Sequence, residues 1–163
     1  MQTKIIKKCR CCENTKFSEI INFGKMQLTT EFKDNKSKNK VIPMTLVFCK
    51  KCKLAQLKHS YDLKSMYNIN YGYKSGINQS MKKHLKEIVN NAKKKILLKD
   101  GDIVLDIASN DGTLLKNYKS KIKKIGIDPI LSKYKNSYPI NSIKISNYFN
   151  KKEIIKKIKN KKI

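Results

Sequence analysis

Two Cys-x-x-Cys pairs, Cys9/Cys12 and Cys49/Cys52, constrain this chain more than any other feature. A two-residue gap lets the two thiolates of one turn converge on a single ion, and two such turns complete a tetrahedral zinc site. The neighbouring Lys8, Lys50, Lys51 and Lys53 are expected to help keep the thiolates deprotonated. The fifth thiol, Cys11, should then point away from the metal. A disulfide framework suits an oxidising compartment, and a redox Cys-x-x-Cys needs only one pair, so both fit less well. The span between the pairs exceeds the usual zinc-ribbon spacing, and a polar stretch from Lys33 to Lys40 reads as the loop that absorbs it. With sulfur at all four positions the metal has no open site, and its role is structural.

The charge balance is extreme but less informative. The formal net charge is +26, and of the 38 basic residues only Arg10 is arginine. Isoleucine (22) and asparagine (16) are also abundant. Lys, Asn and Ile have the codons richest in A and T, so base composition accounts for the pattern without a polyanionic partner. A field of this size does attract nucleic acid. Sequence-specific readers, however, rely on arginine forks that this chain lacks, and nucleic acid is not the expected partner. No apolar run approaches the ~18 residues of a membrane span, and the first residues lack the apolar core of a signal peptide. The expectation is a cytoplasmic protein that does not engage membranes.

Short apolar or alternating stretches at 17–32 and 41–48 read as strands that return the second cysteine pair to the first. Residues 61–78 form a connector rich in tyrosine (Tyr61, Tyr67, Tyr71, Tyr73) and turns. From Gln79 to Leu97, Met81, Leu85, Ile88, Val89, Ala92 and Ile96 recur at helical spacing, with Ser75 or Asn78 as cap. His84 falls near that apolar face and reads as a packed histidine. His59 could be a spare ligand, but four cysteines leave it no vacancy.

A second signature begins after Gly101. The run Asp102–Ala108 has the near-continuous apolar character of a buried parallel strand. Ser109-Asn110-Asp111-Gly112 then make a turn, and Thr113-Leu114-Leu115 are expected to open a helix. A second strand, Lys124–Asp128, ends on an acid 22 residues after Asp106, the distance of one crossover. That acid is placed to take the hydroxyls of a ribose. The dinucleotide fingerprint is missing, so a cofactor without a pyrophosphate fits better. Asp106 would attract the positive amino and sulfonium groups of S-adenosylmethionine. An ordinary strand–turn–helix with turn-forming residues would look the same. Ser142–Ser146 reads as one more strand, and Lys151 to Lys161 as a basic helix.

Six motifs occur in order: Cys9-Arg10-Cys11-Cys12, Phe23–Leu28, Cys49–Leu57, Tyr71–Met81, Leu105–Leu115 and Gly126–Pro129. This succession resembles the zinc-domain-containing sugar C-methyltransferases, which act on nucleotide-linked 4-keto deoxysugars. The resemblance implies an α/β chain: a small four-cysteine zinc-binding domain followed by the start of a class I, Rossmann-like methyltransferase domain. It places a zinc-binding domain at 1–60, a connector and linking helix at 61–98, and a partial S-adenosylmethionine-binding domain at 99–163. It assigns Cys9, Cys12, Cys49 and Cys52 to zinc. Asp106, Ala108, Ser109, Asn110, Asp111, Gly112 and Asp128 match the S-adenosylmethionine contacts, with Ala108 where glycine is frequent. Tyr71, Tyr73 and Ser75 match a tyrosine-rich segment near the active site, assigned to substrate binding, where hydroxyls could touch cofactor or sugar and tyrosines could equally serve interdomain packing. In that family the ketone acidifies the adjacent carbon, a base removes the proton, and the enolate takes the methyl group.

The sheet of that family has about seven strands, and with elements of average length the residues after Gly101 supply about three. Such a sheet would leave an open edge and an uncovered apolar face. No residue stands out as the base. The chain therefore reads as the N-terminal part of such an enzyme, inactive alone, with a separately encoded C-terminal half as a possible partner. A basic zinc ribbon that binds nucleic acid is the rival reading.

Overall fold

The computed structural model describes residues 3–27 and 41–158. The expected Lys33–Lys40 loop, positions 28–32 of the first strand reading and the last positions of the basic helix lie outside the described residues. The chain divides into two compact units, Met1–Gly72 and Tyr73–Ile163.

The first unit is antiparallel. Strands β2 (Phe17–Gln27), β3 (Val41–Cys49) and β4 (Ala55–Leu57) form one sheet in that order. Phe17 pairs with Cys49, so the register of β2 and β3 returns the second cysteine pair to the first, as the sequence predicts. β3 lies between the other two strands and carries the buried side chains Ile42, Thr45, Val47 and Cys49. Irregular register on β2, between Glu19 and Ile21 and between Asn22 and Lys25, bends that exposed strand. Two three-residue strands, β1 (Thr3–Ile5) and β5 (His59–Tyr61), pair separately. The Tyr61 hydroxyl donates to the Pro43 carbonyl and ties β5 to β3. Within the tyrosine-rich connector, Asp62 caps a single helical turn, α1 (Leu63–Met66).

The second unit opens with α2 (Gln79–Lys95), whose N-terminus is capped by the Asn78 carboxamide. Ser75, the other candidate cap, lies before the helix and donates its backbone amide to Asn110. Val89 is the buried residue of this helix, and His84 is exposed, which corrects the reading of it as packed. β6 (Ile103–Ile107), β7 (Lys123–Ile127) and β8 (Ile143–Ile145) form a parallel sheet in that order. On one face Ile125, Ile127 and Ile145 pack with Ile154 and Ile158 of α3 (Lys151–Ile158). Leu115, Leu131 and Tyr138 form a second cluster, joined by Val104 of β6. Core thus lies against the sheet from helix and turn alike, while β6 remains an edge among the described strands and Ile107 is 51% exposed.

The helix expected after Thr113 does not form. Only a 3-10 turn, Leu115–Asn117, follows the loop. Asn117 donates its side-chain amide to the carbonyls of Thr113 and Leu114, at 3.1 and 3.2 Å, taking acceptors that an α-helix would need. The chain is extended by Tyr118.

Candidate functional site

The two cysteine turns repeat the same local geometry. In the first, the Glu13 amide donates to the Cys9 carbonyl at 3.0 Å, and the Cys9 amide to the Asn14 carbonyl at 2.8 Å. In the second, Lys53 donates to Cys49 at 3.0 Å, and Cys49 to Leu54 at 2.9 Å. Glu13 and Lys53, each four residues after the first cysteine, both adopt left-handed backbone (φ 58° and 65°). This conformation curls each turn around its sulfurs and aims backbone amides at them.

The result is one four-sulfur cluster. The Sγ atoms of Cys9, Cys12, Cys49 and Cys52 all lie within 4.8 Å of one another. Cys9 and Cys52 are 3.6 Å apart, as are Cys12 and Cys49. A disulfide needs about 2.05 Å. Four thiolates at ~2.3 Å from a tetrahedral zinc stand about 3.8 Å apart, so the donor set fits that ion. Cys9 and Cys49 are buried, Cys12 and Cys52 half-buried, and Cys11 is exposed, as expected.

The electrostatics show why a cation belongs there. The Cys12 amide, helped by the Cys11 amide and the Gln56 side chain, lowers the Cys9 thiol to about 6 against the burial that raises it. At Cys49 burial pushes upward, but the amides of Cys52 and Lys51 and the Asn14 side chain outweigh it. Cys52 receives the Leu54 amide, yet burial and three adjoining sulfurs push it up to about 12. Four thiols this close cannot all ionise without a positive centre. The groups that favour thiolate are backbone and side-chain amides, a correction to the role expected of the flanking lysines. Among the described residues, His59 takes no part in the cluster, and its Nδ1 is buried without a hydrogen-bond partner.

In the second unit, the residues singled out between Asp106 and Asp128 gather at the C-terminal ends of β6 and β7. Ala108, Asn110 and Gly112 have positive φ (59°, 49° and 75°), a conformation that asparagine tolerates and that Ala108 adopts at a steric cost. The loop is then braced from below. Asp128 accepts the Asn110 amide on Oδ2 and the Ile130 amide on Oδ1, both at 2.9 Å. The Tyr138 hydroxyl meets Ser109 Oγ and the Asn110 carbonyl, each at 2.8 Å. Gly126 leaves room for that ring: a Cβ there would fall 2.5 Å from Tyr138 Cε1.

The segment that follows Gly72 is held to the same loop. Asn110 donates to the Tyr73 carbonyl at 3.1 Å and accepts the Ser75 amide at 2.9 Å. Asp111, only 1% exposed, accepts the Gly76 amide at 2.9 Å and the Thr113 hydroxyl at 2.7 Å. A Cβ at Gly76 would lie 2.5 Å from Asp111 Oδ2, so only glycine permits this approach. Tyr73 and Ser75 thus reach the loop through their backbones. Tyr71 belongs to the first unit, where its ring meets that of Tyr67 at 5.2 Å.

Ser109, Asn110, Asp111, Gly112 and Asp128 are buried, whereas Asp106 is half-buried and Ala108 exposed. Burial raises the Asp106 carboxyl to about 6, with the Asp128 charge adding to the effect. Two acids thus stand close enough at the end of the parallel sheet for the charge of one to oppose ionisation of the other. Sequence reasoning singled out the cysteines and the loop, but not Gln56, Asn14 or Tyr138 as their supports. Gln56 and Tyr138 are buried polar residues, a feature that spacing does not reveal.

Residues 9–67 match a methyltransferase-associated family described as "Putative zinc binding domain". That match lies within the first unit and includes all four clustered cysteines. The chain is also 26% identical over 128 residues to the C-methyltransferase NovU of Streptomyces niveus, covering 76% of this chain and 30% of that protein. The chain therefore spans less than a third of the length of this relative. Together the matches bear out the resemblance to the N-terminal region of a zinc-domain C-methyltransferase. Among the described residues, no helix is long and apolar enough to cross a membrane.

Proposed function

We propose that this chain is the N-terminal portion of an S-adenosylmethionine-dependent C-methyltransferase acting on a nucleotide-linked 4-keto deoxysugar. The observation that carries the reading is the order of its two sites: a four-cysteine cluster, then an acid-bearing loop at the end of a parallel strand, in a chain similar to a C-methyltransferase. The first unit holds a structural zinc through Cys9, Cys12, Cys49 and Cys52. The second is the beginning of a Rossmann-like domain, in which Asp106 and the Ala108–Gly112 loop cradle the cofactor. S-Adenosylmethionine, when bound, supplies an electrophilic methyl group. Asp106 pairs with its positive charge, and the Asn110 amide–Asp128 link keeps the loop in register. Each oxygen of Asp128 accepts one backbone amide, which leaves lone-pair capacity for a ribose hydroxyl. Tyr73 and Ser75, held to that loop through their backbones, stand for the sugar side of the site.

The chemistry also needs a base to take the proton beside the ketone. Neither histidine is nominated for that role: His59 belongs to the cysteine-rich unit and His84 to α2. The base and the rest of the sugar pocket are assigned to the portion of such an enzyme that this chain does not align with. Turnover accordingly requires that portion, joined or supplied as a partner.

The test is equilibrium binding of S-adenosylmethionine to the zinc-loaded chain. One molecule should bind per chain, and Asp106→Asn should weaken binding at least about tenfold, the ~1.4 kcal/mol of one lost charge contact. A zinc-loaded chain that ignores the cofactor but binds oligonucleotides with a steep salt dependence would favour the rival basic zinc ribbon instead.

A further inference from the structure

The chain has 37 lysines and one arginine, and the arginine stands inside the first cysteine turn. Where lysine serves every other basic position, a lone arginine marks a place that needs a planar fork of donors. Arg10 uses one. Its Nη1 donates to the Leu57 carbonyl at 2.7 Å and to Gln56 Oε1 at 3.3 Å. Its Nη2 donates to the His59 carbonyl at 3.1 Å and to Ser60 Oγ at 2.9 Å. Its backbone amide also reaches Gln56 Oε1, at 3.2 Å. A lysine ammonium at this position could not span these acceptors in two directions.

Gln56 is buried, and the two donors from Arg10 fix its orientation. With Oε1 taken by two N–H groups, the NH2 group must face the other way. There it donates to Cys9 Sγ at 3.1 Å. A reversed amide would set NH2 against two donors and leave the sulfur without its bond. The guanidinium charge is thereby relayed through one carboxamide to a cluster sulfur. Asn14, which closes the same first turn, plays a looser part toward the other cysteine pair, with its side-chain amide 3.5 Å from Cys49 Sγ and 2.8 Å from the Lys16 carbonyl.

We propose that Arg10 and Gln56 form an outer-sphere relay that sets how tightly the four-cysteine cluster holds its metal, with Gln56 as the sulfur's donor and Arg10 as the group that orients it. The proposal rests on the zinc reading. A hydrogen bond to a coordinated thiolate disperses its negative charge and holds its direction, and outer-sphere partners of this kind commonly change metal affinity about 10–100-fold. Gln56→Glu keeps size and the arginine contact but removes the donor and adds a repelling charge. Arg10→Lys keeps the charge but loses the fork.

The experiment uses the full chain and measures zinc content, zinc transfer to a chromophoric chelator, and the sulfur-to-metal charge-transfer band after cobalt(II) replaces zinc. Wild type should hold one zinc per chain. Gln56→Glu should lose it at least about tenfold more readily, and Arg10→Lys by a smaller factor. Loss of the N–H···S bond raises the energy of the sulfur donor orbital, so the cobalt band should move to longer wavelength. That spectral shift separates an electronic role from a merely structural one, and Arg10→Lys supplies it should Gln56→Glu not fold. One zinc per wild-type chain with both variants unchanged in affinity and band would overturn the relay and leave the zinc reading intact. A folded wild-type chain with no zinc would overturn both.

Discussion

Asp106 is costly to the folded second unit. Its carboxyl is raised to about 6 by burial and by Asp128, against ~3.9 for an unfolded aspartate. Between those values the folded chain binds more protons than the unfolded one, so stability falls as pH rises through the window. The favourable contribution is fully present below about pH 4 and is lost by about pH 6. Asp106→Asn should therefore stabilise the protein near pH 7 by about 1–3 kcal/mol, with the margin closing as pH approaches 4. Urea unfolding of zinc-loaded wild type and variant, compared at each pH so that metal-linked protonation cancels, checks this. Parallel pH profiles would remove the basis for treating Asp106 as a strained acid. The same substitution should cost cofactor binding, since a site tuned for a ligand's positive charge is destabilised in its absence. Proximity of Asp106 to an acid at the next strand's end was legible in the sequence, because one crossover fixes the spacing. The inward turn of Asp128 onto backbone amides was not, because it depends on a loop whose left-handed residues spacing alone does not specify.

At the scale of elements, legibility follows how local the stabilising contacts are. Helix α2 and its Asn78 cap were readable because periodicity and capping act within a few residues. The three-residue strands β1, β4 and β5 were not. Arg10 ties the β4 and β5 carbonyls together from a distant part of the chain. The helix expected after Thr113 failed for a local reason, the Asn117 side chain, that periodicity ignores. The cysteine turns lie between these cases: each is local, but their convergence depends on the β2–β3 register and on the ion. Chelating the metal should then release the turns first, since structural zinc supplies folding energy directly. Hydrogen exchange followed by mass spectrometry is expected to show faster exchange in peptides carrying Cys9–Asn14 and Cys49–Leu54 after chelation. Strand β7, bonded to β6 and β8, serves as internal reference. Unchanged protection in both turns would mean that hydrogen bonds alone, and not the metal, hold them.

For the whole molecule the dominant quantity is a net charge of +26 on 163 residues. Ion pairs such as Lys121–Asp100 at 2.8 Å and Lys58–Glu19 at 3.4 Å are exposed, and pairs of that kind contribute little. With 12 acids for 38 basic residues, most of the positive charge has no acidic counterpart anywhere in the chain. Self-repulsion of this kind opposes the compact state. At 0.01 M salt the screening length is about 30 Å, so lysines on all sides of a unit repel one another; at 1 M it is about 3 Å, and only neighbours do. The zinc-loaded chain should thus gain stability with added sodium chloride. The urea midpoint is expected to rise by roughly 0.5 M between 0.01 and 0.5 M salt, or about 1 kcal/mol at a slope of ~2 kcal/mol per M. Urea is required, because guanidinium would itself screen the charges. A rising midpoint fits lysines spread by base composition and tolerated at a cost. A flat or falling one would mean that the positive charge is locally compensated. Composition would then have overstated the field, and the charge would lose its value as an argument for a polyanionic partner.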